Sequence, residues 1–433
     1  MIEGIDMKWW EREGFRYKEG RLCIQSIDFE EIAKRFGTPL YVYDGNRFLE
    51  NARNVHDSLE KYADRDIRVQ FMMKSNPSLG LLGVWNRHGY KYVSVSSPFE
   101  ARLALKAGIK PEYITWVAGI GVGDKEFREL KNLGINITID SMSQLKRIRS
   151  LGIKEISIRW NPGLGMGKIP AAGKRAHGQP MQFGIPKEDV SKAFEYAKDN
   201  GIEIRGIAQH VGSQIIEKEE TKKYFRSMEM LIEMTKELED SGFGLEYICF
   251  GGGISVPYTK NDAVFPIESL AKNIFQKIKS SGIKANNIVI EPGRYLTADM
   301  GILIAKVNLV EKKQGNVFIG IDAGVNLVPR VLFHKRYQTP HEIVPCKIRR
   351  GKTMATVCGT LLFTGDNFGT QEISRVYVGD YLTFLNMGAY NPSFQFHFGW
   401  PFAKEILIFN KKACEIRKEE TFADYARDQL LVD

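Results

Sequence analysis

The sequence predicts an α/β protein: a closed (β/α)8 barrel followed by a second domain made of β-strands. Three observations predict it. Eight short runs rich in β-branched and aromatic residues alternate with helical segments up to about residue 300. Polar or glycine-rich residues follow directly behind most of those runs, where a barrel keeps its chemistry. Beyond residue 300 the long helical segments stop, while strand-like runs joined by turns such as Val378-Gly379-Asp380 continue.

The eight runs, in order, are 69–75 (VQFMMKS), 92–97 (YVSVSS), 113–118 (YITWVA), 135–140 (INITID), 156–160 (ISIRW), 204–210 (IRGIAQH), 247–250 (YICF) and 288–291 (IVIE). The segments between them carry helix punctuation. Ser97-Pro98-Phe99-Glu100 reads as a capping box with proline in the first turn, and Gly108 stops that helix. Residues 222–241 have apolar side chains at helical spacing and end at Gly242. Strands alternating with helices give parallel βα units, and a count of eight points to closure. Strands of the second domain are expected at 302–310, 317–321, 375–378, 381–384 and 405–409.

Composition bounds the function. With 433 residues, 43% hydrophobic and 26% charged, the chain is globular and long enough for two or three domains. Lys and Arg number 61 against 52 acidic residues, a net charge of +9, but the basic residues are spread out. The densest cluster is 347–352, with no reading module around it, so no nucleic-acid partner is expected. Cys23, Cys249, Cys346, Cys358 and Cys414 are scattered without CxxC spacing, which fits a reducing compartment rather than a disulfide or zinc framework. The first residues lack an apolar core, and Lys306 interrupts the apolar run at 301–310. The expectation is a cytoplasmic protein with no membrane span. Gly163-Leu164-Gly165-Met166-Gly167 lacks the pattern and position of a nucleotide loop, and His56, His88 and His177 are isolated, so no metal site is expected.

Four elements at strand ends carry the chemistry. Lys74 closes an otherwise apolar run; a lysine facing a barrel interior is costly unless used, and a desolvated one forms Schiff bases. A strand-end lysine reaching solvent is the plainer alternative. His210-Val211-Gly212-Ser213-Gln214 sets a titratable ring beside small donors, suited to a planar anionic cofactor or to a hydrogen-bonded structural histidine. Gly251-Gly252-Gly253 lets backbone N–H groups approach a phosphate, or forms an ordinary loop. Glu291-Pro292-Gly293-Arg294 brings a carboxylate that can keep a pyridinium nitrogen protonated, or a structural ion pair.

In this order the four elements, with Thr38 to Asp44 (TPLYVYD), Arg159-Trp160-Asn161-Pro162-Gly163, Gln182-Phe183-Gly184-Ile185, Asp322-Ala323-Gly324 and Gly388-Ala389-Tyr390, resemble the fold-type III pyridoxal-phosphate-dependent decarboxylases. The likeness is to diaminopimelate decarboxylases first and to ornithine/arginine decarboxylases more distantly, over nearly the whole chain. It implies an alanine-racemase-like barrel over residues 37–300 and one β-sandwich or barrel domain formed by both chain ends, 1–36 plus 301–433. It implies pyridoxal 5'-phosphate on Lys74, His210 stacked on its ring and Glu291 on the ring nitrogen. Ser213, Gly251, Gly252, Gly253, Gly293 and Arg294 then surround the phosphate. Tyr390 of the partner subunit reaches the phosphate too, in a homodimer with shared sites. Arg294 and Arg330 hold the substrate carboxylate.

The sequence departs from that family in the β domain. The family's Gly-Pro-x-Cys-acid motif, which ends on Asp, matches 359–366, but Leu362 stands for the cysteine and Phe363 for the acid that reads the substrate's distal amine. Ser94 replaces a second-strand acid, and His334 a tyrosine; His334, Lys335 and Arg336 read first as surface charge, with an anionic substrate tail as the alternative. A buried apolar pair leaves an ammonium unneutralised. The reading is therefore α-decarboxylation of a modified amino acid rather than meso-diaminopimelate. Racemisation, epimerisation or elimination on the same fold remains open, as does a non-catalytic cofactor-binding protein. Cys358 reads as a buried strand residue, or, with a shift of the loop, as a substitute for the missing thiol.

Overall fold

The computed structural model describes residues 8–173, 181–333 and 341–432. The chain divides into two compact units, one formed by Leu49–Val256 with Ala263–Leu296, the other by Met1–Phe48, Pro257–Asp262 and Thr297–Asp433.

The first unit is the barrel. Its strands lie side by side in chain order and all pairs are parallel: Phe71–Met72, Val93–Val95, Ile114–Val117, Asn136–Ile139, Glu155–Asn161, Glu203–Gln209, Tyr247–Cys249 and Asn287–Ile290. The first run divides its pairing at Gln70. Asp66–Val69 pairs with the last strand, setting Ile67 against Ile288, while Phe71–Met72 pairs with the second strand. The Gln70 N–H donates to Ile290 O at 2.8 Å and that of Phe71 to Tyr92 O at 3.0 Å. Two halves of one run thus join the two ends of the sheet and complete the ring. The strands are short and β-branched because both faces are covered; Trp116, Trp160 and Phe71 are fully enclosed.

The helices follow their punctuation. Pro98–Lys106 starts where expected, with Ser97 Oγ accepting the N–H of Glu100 at 3.2 Å. Glu100 does not close the box on Ser97; its carboxylate accepts the Ser96 N–H at 2.7 Å and hydroxyl at 3.0 Å. Gly108 has φ +83°, the left-handed geometry of a helix stop. The expected helix at 222–241 starts a turn earlier, as Lys218–Asp240. None of the described helices is long and apolar enough to cross a membrane.

The second unit centres on Gly301–Lys313, which pairs antiparallel with Leu40–Asp44, Asn316–Ile321 and Tyr381–Phe384. Lys404–Phe409 then adds to Leu40–Asp44, and Lys352–Cys358 to Asn316–Ile321, both in parallel, so the sheet is mixed rather than purely antiparallel. Its core gathers Phe15, Leu22, Phe29, Val42, Ile302, Ile304 and Ile406 from both ends of the chain. Leu40–Asp44 belongs here, not to a barrel starting at residue 37, because its ladder partners are 301–304 and 404–408. The strand expected at 375–378 is a turn instead: Asp380 accepts the Tyr377 N–H at 2.7 Å and pairs with Arg349, which bends the chain after Asn367–Ser374.

Gly212 lies in a two-residue strand facing Pro170, directly before Ser213. A Cβ there would overlap the carbonyl oxygen of Met166. Gly212→Ala is expected to cost about 1–3 kcal/mol by overpacking, read as a lower urea midpoint; an unchanged midpoint would show that the backbones do not approach so closely.

Candidate active site

Lys74 stands on a single 3-10 turn, Met73–Ser75, just beyond the first strand. Ser75 Oγ donates to Met72 O at 3.0 Å and the Asn76 N–H to Met73 O at 2.9 Å. Ser75 and Asn76 are fully buried, so the turn is anchored, while Lys74 itself is exposed. Of the two readings of Lys74, the exposure agrees with a lysine reaching solvent, and the run leaves β geometry at Met73. Its charge is still felt at His210 and Glu100.

Three strand ends converge on Glu291. The Ser94 hydroxyl donates to its Oε1 at 2.5 Å, and burial together with the charge of the same carboxylate raises the pKa of the Cys249 thiol. The Glu291 N–H donates to Gly251 O at 2.9 Å. Ser94, Cys249 and Glu291 are all buried.

His210 follows the sixth strand. Burial, with Lys74 and Arg159 nearby, pushes its pKa well below the usual imidazole value, so the ring is neutral. Arg159 donates to the backbone oxygens of His210 and Ala171, each at 3.3 Å, and its guanidinium lies 4.6 Å from the centre of the Phe183 ring. Asp140 lies within electrostatic reach; burial raises its pKa to about 6, against the opposing pull of Arg159 and the Gly184 N–H.

The glycines sit where side chains would not fit. Gly251 and Gly253 have φ of +71° and +117°, which favour glycine. A Cβ on Gly252 would come within 2.6 Å of Glu291 O, and one on Gly293 within 3.1 Å of the Ser75 Cβ. Arg294 is 3% exposed and its Nε donates to Ser213 Oγ at 3.2 Å. The structure therefore brings Lys74, His210, Ser213, Gly251, Gly252, Gly253, Glu291, Gly293 and Arg294 together at one end of the barrel, behind its strands.

Arg330 and Tyr390 belong to the β unit. Arg330 is buried, donates to the Tyr258 hydroxyl at 2.9 Å and lies 4.6 Å from the centre of that ring. Its N–H donates to Asn391 Oδ1 at 3.3 Å, next to Tyr390, whose φ is +67°. His334, Lys335 and Arg336 lie outside the described residues. In the loop 359–366, Asp366 accepts the N–H groups of Leu361 at 2.6 Å and Val325 at 2.7 Å. Leu362 is fully exposed, and Phe363 lies 5.6 Å from Phe398, ring to ring. Cys358 ends a strand, partly buried, its thiol pKa raised by burial and by Asp366.

Residues 47–298 match the family described as Pyridoxal-dependent decarboxylase, pyridoxal binding domain. The chain belongs to that family. The diaminopimelate decarboxylase of Aquifex aeolicus is 32% identical over 94% of this chain and 95% of its own, and that of Methanothermobacter thermautotrophicus 30% identical over 95% and 96%. Among solved structures, diaminopimelate decarboxylase from M. jannaschii superposes with a TM-score of 0.86 at 25% identity, covering 97% of this chain and 98% of its own. The Helicobacter pylori enzyme, solved with L-lysine, gives 0.83 at 26% over 92% and 98%. The protein is a pyridoxal-phosphate-dependent amino-acid decarboxylase.

Sequence reasoning quoted Arg159 without giving it a task and left Asp140 and Cys249 out of the site. The available signal for Arg159 was a cation inside the apolar strand Glu155–Asn161. Cys249 and Asp140 gave none, since a thiol reads as apolar filling and an aspartate after a strand as a turn.

The depressed pKa of His210 fixes a sign. Unfolded chains take up a proton near pH 6.5 that the folded state refuses, so this residue's contribution to stability falls as pH drops below about 6.5. In the apoprotein, His210→Phe is expected to flatten that slope relative to wild type in urea titrations at pH 5 to 8. Parallel curves would place the imidazole in contact with water.

Proposed function

We propose that the enzyme removes the α-carboxylate of an amino acid whose distal end carries no free ammonium, using pyridoxal phosphate on Lys74. The loop 359–366 carries the substrate part of this reading. Leu362 and Phe363 occupy the positions where the family has a thiol and an acid, and neither can neutralise an ammonium. Relatives named for diaminopimelate support the α-amino-acid part.

The barrel residues fit the cofactor. The glycine cradle admits a phosphate against backbone N–H groups, with Arg294 and Ser213 as further donors. A neutral His210 can lie flat on an aromatic ring, and Glu291 can hold a proton at the ring nitrogen. The bound cofactor supplies an electron sink for the charge left when CO₂ departs. Lys74 offers the amine that anchors it, and Arg330 with Arg294 offers cations for the substrate carboxylate. Leu362 has no proton to give, so reprotonation draws on another group.

We further propose a homodimer in which Tyr390 of the partner subunit completes the phosphate site. The exposure of Leu362, Phe363, Phe394, Phe398 and Trp400 on the β unit supports a cover by a second copy.

The test is a mass-spectrometric screen for CO₂ loss across free and Nε-acylated diamino acids. The acylated members are expected to react and meso-diaminopimelate to lag by about ten-fold or more, the scale of one unpaired charge. Phe363→Glu is expected to narrow that gap. Equal turnover of meso-diaminopimelate by the wild type would overturn the substrate proposal, and α-proton exchange without CO₂ the reaction.

A further inference from the structure

Glu291 is the carboxylate on which the cofactor reading turns; the Ser94 hydroxyl donates to it, and the buried Cys249 thiol feels its charge. We infer that Ser94 and Cys249 are positioning residues that aim the Glu291 carboxylate at the cofactor's ring nitrogen and keep it negatively charged. The inference rests on the proposed role of Glu291 and adds what sets its orientation.

Ser94 is wholly buried in the second strand, Val93–Val95, and its backbone is fixed by ladders to Met72 and Thr115 on either side. A buried serine hydroxyl requires a partner, and the one it has is Glu291 Oε1 at 2.5 Å. Cys249 ends the seventh strand, 2% exposed, with its backbone paired to Ala208 and Val289. Burial and the charge of Glu291 both raise the thiol pKa, so the sulfur keeps its proton beside the carboxylate. The Glu291 N–H is itself tied to Gly251 O. Strands two and seven therefore flank the residue that follows strand eight.

Neutral neighbours have a consequence that an acid at position 94 would not. Two carboxylates at such a separation share a proton, and one of them loses its charge. With a hydroxyl and a thiol as the neighbours, Glu291 has no such competitor. The titratable groups that feel its charge are Arg159 on the fifth strand and Cys249 and Tyr247 on the seventh. Arg159 is a cation and favours the ionised carboxylate. The thiol and the phenol are held protonated by burial. A ring nitrogen facing this carboxylate keeps its proton to higher pH than it would beside a loosely held one.

Neither side chain needs to touch the reacting atoms, so the readout must report the ring proton directly. Holoenzyme is reconstituted with cofactor carrying ¹⁵N in the ring, and the ¹⁵N shift is followed against pH for wild type, Ser94→Ala, Ser94→Thr, Cys249→Ala and Cys249→Ser. In Ser94→Ala the pH at which the ring loses its proton is expected to fall by about one unit, a ten-fold weaker hold. kcat should fall with it and KM stay near wild type. Ser94→Thr, which keeps the hydroxyl, should restore both. Cys249→Ala should shift the ring in the same direction by less, and Cys249→Ser should not shift it. Variants that lose thermal stability while the ring proton leaves at the wild-type pH would overturn the inference and make both residues ordinary packing. A wild-type protein that takes up no cofactor would bring down the cofactor role of Glu291 itself, a distinguishable failure.

Discussion

The barrel exists because one strand serves two neighbours. Residues 66–72 give their first half to the eighth strand and their second half to the second, with the change of partner at Gln70. This closure decides more than the sheet. It sets the start and the end of the parallel series beside each other, so the turn carrying Lys74 follows a strand that borders both Ser94 and Glu291. Gly293 lies close enough to that turn that a side chain would press on Ser75. An open sheet with the same eight strands would leave the lysine and the carboxylate at opposite edges.

Electrostatics at the strand ends then follow from proximity. Arg159, Lys74 and Arg294 bring positive charge around a space edged by glycines, suited to an anionic cofactor. His210 responds by staying neutral. Glu291 follows the eighth strand and accepts the Ser94 hydroxyl from the second.

Much of this was legible in the sequence, for identifiable reasons. Seven barrel strands could be read closely and the first in part, because buried parallel strands are short apolar runs with polar ends, and the same ends suggested the candidate site. The β unit was less legible. Leu40–Asp44 looks like any buried strand, and only its partners at 301–304 and 404–408 show where it belongs. Residues 375–378 have strand composition, yet Asp380 and Arg349 bend them into a turn. The exposure of Lys74 was open as one of two readings, but composition gives no hint that the run changes from strand to 3-10 turn at Met73. The tasks of Ser94 and Cys249 depend on contacts across the barrel, which no local pattern encodes.

The central claim is that Lys74 is the residue that carries the cofactor. Incubating the protein with pyridoxal phosphate, reducing it with borohydride and mapping the pyridoxyl group by peptide mass spectrometry tests it most directly. The account predicts one stoichiometric adduct, on Lys74. An adduct spread over other lysines, or a single one elsewhere, would contradict it.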